Sequence, residues 1–119
     1  MARKPSVNRL SDRVRFDRRA LDANGDRLGA WTPAFSCWAE VIFLRGSEAV
    51  VSLRLEGKKP AAFVIRASAA ARAIDPSYRV VMLNGDGTDG QRYNVTSAAE
   101  NNEDDAFIDV LAVSGTAEG

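Results

Sequence analysis

The residues able to do chemistry fall into a few groups, and most types needed for catalysis are missing. Histidine is absent from the 119 residues, which removes the commonest general base and metal ligand together. No Ser–His or Cys–His mechanism can be built. The single cysteine, Cys37, excludes an internal disulfide and reads as a small buried hydrophobe beside Trp38. The run Asn84-Gly85-Asp86-Gly87-Thr88-Asp89-Gly90 invites a calcium test. It fails, because counting from Asn84 puts Asp89 where an EF-hand loop needs Gly and Val95 where it needs Glu. Its glycines spell a dinucleotide fingerprint by letters alone, between two strands and before no helix. The acids Glu103-Asp104-Asp105 read as a solvated loop, since nothing buries one of them to keep it protonated. No metal, cofactor or catalytic residue is assigned.

Charge and aromatic residues are the remaining material. Net charge is zero, yet Arg3, Lys4, Arg9, Arg13, Arg15, Arg18 and Arg19 crowd the start. Glu100, Glu103, Asp104, Asp105, Asp109 and Glu118 crowd the last twenty residues, with no Lys or Arg among them. Two readings stand open: solvated ends, or patches of opposite sign that meet between copies. Lys/Arg clusters also follow phosphates, so a nucleic-acid arm is a further alternative. Phe35, Trp38, Phe43, Phe63, Tyr93 and Phe107 lie among aliphatics and read as core rather than as a base-stacking platform. Trp31, just past the Asn24-Gly25-Asp26 turn, is the candidate exposed contact.

The elements that position these residues are mostly strands. Val14 and Phe16 alternate with Arg13, Arg15 and Asp17, the period of a half-buried strand. The Asn24-Gly25 turn reverses the chain into a long second strand through Phe35, Trp38, Val41 and Phe43. Gly46 and Gly57 bracket a segment that fits a short helix or a strand and loop equally well. Strands follow at 61–66, 79–83, 91–98 and 106–113, with an Ala-rich helical stretch at 67–74 ended by Asp75-Pro76. The expectation is a mostly β, small antiparallel barrel or sandwich of about six strands. It has one or two short helices and a long loop. A chain of this length holds one domain, 1–119, with flexible ends at 1–8 and 114–119. The start lacks the apolar core of a signal peptide, and no apolar run spans a membrane.

The pattern resembles the head–tail joining (head-completion, or stopper) proteins of long-tailed bacteriophages. Arg9-Leu10, a strand, an Asn-Gly-Asp turn, then Trp31 and Trp38-Ala39-Glu40-Val41 carry the first half of the likeness. Ile65-Arg66, Pro76-Ser77-Tyr78-Arg79-Val80, Asn84-Gly85, Arg92-Tyr93-Asn94-Val95 and Phe107–Val113 carry the second. The chain departs from the family in a longer turn at 84–90 and in few aromatic or Gln residues at 46–57.

The resemblance implies a non-enzymatic structural protein at the neck of a phage or phage-derived particle, a gene transfer agent included, assembled in the bacterial cytoplasm. It implies a homo-oligomeric ring of six or twelve copies between a portal-bound adaptor and a tail terminator or tail tube protein. Packaged double-stranded DNA runs in the channel, and no membrane is involved. On that reading Arg9, Arg13, Arg15, Arg18, Arg19 and Trp31 form the adaptor or subunit interface. Arg45, Glu48, Arg54, Lys58 and Lys59 form a loop facing or closing the channel. The alternatives are a small β-barrel that binds nucleic acid and a neighbouring neck protein such as the tail terminator.

Overall fold

The computed structural model describes residues 10–19, 24, 30–44, 55–101 and 106–114. Six strands, all paired antiparallel, close into a barrel in the order β1-β2-β3-β6-β5-β4. These are β1 (Asp12–Arg18), β2 (Thr32–Phe43), β3 (Lys59–Arg66), β4 (Tyr78–Leu83), β5 (Asp89–Glu100) and β6 (Phe107–Ser114). Helix α1 (Ala69–Arg72) joins β3 to β4. The barrel reading therefore holds and the sandwich does not, because β1 pairs with β2 on one side and with β4 on the other.

Strand alternation builds the interior. Val14 and Phe16 of β1, Phe63 and Ile65 of β3, Val80 of β4, Tyr93 and Val95 of β5 and Val110 of β6 share one buried cluster. Phe16 stacks on Phe35 with ring centroids 5.1 Å apart, and Phe63 meets Tyr93 edge-on at 5.2 Å. Such offset and edge contacts are the favoured aromatic geometries. Val64 and Phe107 point outward but are covered by Leu10, which makes a small second cluster on the outer wall.

Helix α1 spans the barrel, since β3 and β4 lie three strands apart either way round. Ser68 caps it, its Oγ accepting from the Ala71 amide at 3.0 Å. Ala71 and Ile74 turn into the core from that connection. The Tyr78 amide donates to the Asp75 carbonyl at 3.0 Å and so turns the chain into β4.

Three expectations are corrected. Trp38 is 52% exposed, because Cys37 and Ala39 take the inward positions of β2 and push Trp38 to the outer face; Phe43, of inward parity, is exposed as the last residue of the strand. Cys37 is half-buried rather than sealed, and burial still pushes its thiol up to about 11. Ser114 ends β6 opposite Lys59 and is buried, so it is no part of a loose end. The remaining residues of both proposed flexible ends lie outside the described residues.

Candidate functional site: the outer wall of the first hairpin

The outward residues of β1 are Arg13, Arg15 and Asp17, and the structure gives each a different job. Asp17 is 1% exposed despite facing outward. Arg15 donates to it through Nε at 2.7 Å and Nη2 at 3.1 Å, and Arg79 donates through Nε at 2.9 Å. Arg15 reaches on to Asp89 with Nη1 at 2.7 Å and Nη2 at 3.1 Å. A chain of alternating charge therefore ties β5, β1 and β4 together. The Arg15 guanidinium holds the Asp89 carboxyl below its ordinary range, and Arg15 itself is raised by Asp17 and Asp89.

The β1–β2 ladder makes room for this. Phe16 pairs with Phe35 but Asp17 pairs with Pro33, so Ala34 is an extra residue in β2. Such a bulge bends the strand and re-aims its side chains, and it is where a proline fits a sheet. Beyond it Trp31 lies half-buried under two guanidinium groups, Arg79 at 4.6 Å and Arg19 at 5.2 Å from the ring centroid. These are cation–π distances.

Of the sequence-assigned interface residues, Arg15, Arg19 and Trp31 join this network, and Arg18 stays exposed on its margin. Arg13 belongs to a second feature, standing over the Trp38 ring at 5.3 Å. Arg9 lies outside the described residues. Of the loop set, Lys58 pairs with Glu56 at 3.4 Å and Lys59 is exposed on β3. Arg45, Glu48 and Arg54 lie outside the described residues.

Sequence reasoning missed Asp17, Arg79, Asp89, Trp38 and Arg66 as participants. A signal existed for the first, because Arg15 and Asp17 are two apart on a strand and so share a face. Nothing local pointed to Arg79, which arrives through the barrel's closing ladder. The 84–90 turn is held by its own side chains. Thr88 Oγ1 donates to Asp86 at 2.6 Å and accepts from the Asn84 side-chain amide at 2.9 Å, while the Asn84 backbone N–H donates to the Thr88 carbonyl at 2.8 Å.

Residues 5–115 match the model of the family described as phage head completion protein. The chain belongs to that family. A head completion protein is a structural component of the virion, acts at the neck where head meets tail, and associates with other virion components.

Two solved structures share the fold. The solution structure of protein SF1141 from Shigella flexneri 2a superposes with a TM-score of 0.61 at 20% identity, covering 95% of this chain and 99% of that one. A chain of the virion of a native gene transfer agent particle superposes with a TM-score of 0.55 at 22% identity, covering 93% and 96%. No functionally curated protein matches the sequence.

Proposed function

We propose that this head completion protein works as a ring of copies between the portal-bound adaptor and the tail, around the packaged DNA. The observation that carries it is an outer wall bearing large exposed apolar side chains, Trp38, Ile42 and Leu111, on a closed barrel. A barrel has no edge to extend, so its copies and neighbours meet through side-chain faces. Many weak contacts on a ring add through multivalency.

Two arginines, Arg15 of β1 and Arg79 of β4, argue against the nucleic-acid reading. A protein that tracks a duplex lines up free cations along phosphates, whereas Arg15 and Arg79 are committed to Asp17 and Asp89. Residues 45–60 remain our candidate for the segment that faces or closes the channel, with Lys58 and Lys59 as its phosphate contacts.

Electron microscopy of particles made without this chain tests the reading. DNA-leaking or unattached heads beside complete free tails are expected. Normal, tailed, DNA-filled particles would reject it.

A further inference from the structure

Arg13, Trp38 and Arg66 form a row on the outer wall of three consecutive strands. Arg13 pairs with Trp38 across β1 and β2, and the Ala39–Ile65 pair sets Trp38 beside Arg66 across β2 and β3. The three line a groove of about 400 Å³ with Leu10, Ser36 and Cys37. A second groove of about 410 Å³ shares Arg13 and Trp38 with the first and is walled also by Asp12, Leu83 and Asn84. Arg13 and Trp38 thus border both hollows, and the indole is more than half exposed. Several other arginines have acidic partners, Arg15 and Arg79 on Asp17 and Arg92 on Asp89 on the outer wall, and Arg72 of α1 on Glu100. Among the described residues neither Arg13 nor Arg66 has a carboxylate within ion-pair distance.

A row of cation, exposed indole and cation calls for a ligand that is anionic at both sides and apolar between. Trp and Arg are also the side chains that most often dominate binding energy at protein interfaces. The row crosses two strand spacings, about 10 Å from Arg13 to Arg66 at the backbone, and the long arginine side chains can meet carboxylates placed on either side of an apolar residue. Duplex DNA fits worse, because it offers the indole between the two cations no apolar partner. Strand addition is closed to any partner, because the barrel has no free edge.

We propose that the Arg13–Trp38–Arg66 row is the docking site for an extended acidic segment, with an apolar residue between its acids, from a different protein of the neck. This rests on the neck reading above, and it moves the contact from Arg15, Arg18, Arg19 and Trp31 to the adjacent groove.

The test is photo-cross-linking in assembled particles carrying Trp38→p-benzoylphenylalanine, with the same residue at exposed Gln91 of β5 as the control site. An adduct to an acidic segment of another virion protein, about tenfold above the control, is the expected result. An adduct to a second copy of this chain, an adduct to DNA, or a yield no higher than the control overturns the proposal. In parallel, Arg13→Glu with Arg66→Glu should lower the yield of joined particles about tenfold while Arg13→Lys with Arg66→Lys keeps it, both folding with unchanged unfolding midpoints. Joining at the normal level by the glutamate pair also overturns it. Failure of the neck reading would look different: particles lacking the chain would then be joined normally.

Discussion

Arg79 donates its Nε to Asp17 at 2.9 Å across 62 residues of sequence, and this bond sits on the ladder that closes the barrel. It is the shared anchor of two arginines and, through Arg79, of Trp31. Buried ion pairs give modest net stability when intact but cost heavily when one partner is removed.

Asp17→Ala should therefore cost about 3–5 kcal/mol, because it leaves two guanidinium groups without their buried acceptor. Asp89→Ala, at the exposed end of the same chain of charges, should cost about 1 kcal/mol or less. Urea unfolding of the two variants measures the difference, and equal midpoints would remove Asp17 from its anchoring role.

Trp38→Ala and Phe63→Ala separate contact from core. Phe63 is fully buried, so its truncation should cost about 3–5 kcal/mol. Trp38 is exposed, so its truncation should cost about 1 kcal/mol or less while lowering the yield of joined particles. Thermal unfolding and particle counts together check the pair.

The thiol of Cys37 should stay unreactive near neutral pH and gain reactivity as pH rises toward about 11. Its folded value lies above the ordinary 9.0, so the unfolded chain loses this proton first. The matching stability is present below about 9 and is lost as pH rises to about 11. Rates of alkylation against pH, native and denatured, test the order. Equal native and denatured profiles would contradict it.

Gly90→Ala should destabilise more than Gly85→Ala. A Cβ at Gly90 would stand 2.7 Å from the Met82 carbonyl oxygen, a backbone atom with little room to move, whereas one at Gly85 meets open space. Gly87 lies at φ +86°, so Gly87→Ala should cost about 1 kcal/mol for the left-handed backbone alone. Chemical denaturation ranks the three, and a tolerant Gly90 would contradict the close approach of β4 and β5.

Lys58→Ala with Lys59→Ala should leave unfolding unchanged and reduce DNA retention in particles, if residues 45–60 face the channel. Particles that keep DNA normally and form at full yield would reject that role.

The strands and the turns between them were legible because each rests on local signals. Val14 and Phe16 mark β1 by alternation, and Asp75-Pro76 stops the helical stretch before β4. The facing of β2 was harder to read. In Phe35-Ser36-Cys37-Trp38-Ala39-Glu40-Val41-Ile42-Phe43 apolar residues fall on both faces, so size suggested Trp38 as core while parity gave that place to Cys37 and Ala39. The Arg15–Asp17–Arg79 contact depended on which strand lies beside β1, and that follows from barrel closure rather than from neighbouring residues. The head completion resemblance reached the right family through pattern and order, while the groove at Arg13, Trp38 and Arg66 depended on register across three strands.

The β1–β4 ladder also sets when the chain can finish folding. Until β1 finds β4, the barrel is open beside Val14 and Phe16, and bringing those strands together closes a loop of some 62 residues. Loop closure of that span must precede the contacts that reward it, which slows proteins dominated by distant pairings. A newly made chain cannot complete that ladder until β4 has been synthesised. It then enters assembly as a late-ripening part, ready only after most of its length exists.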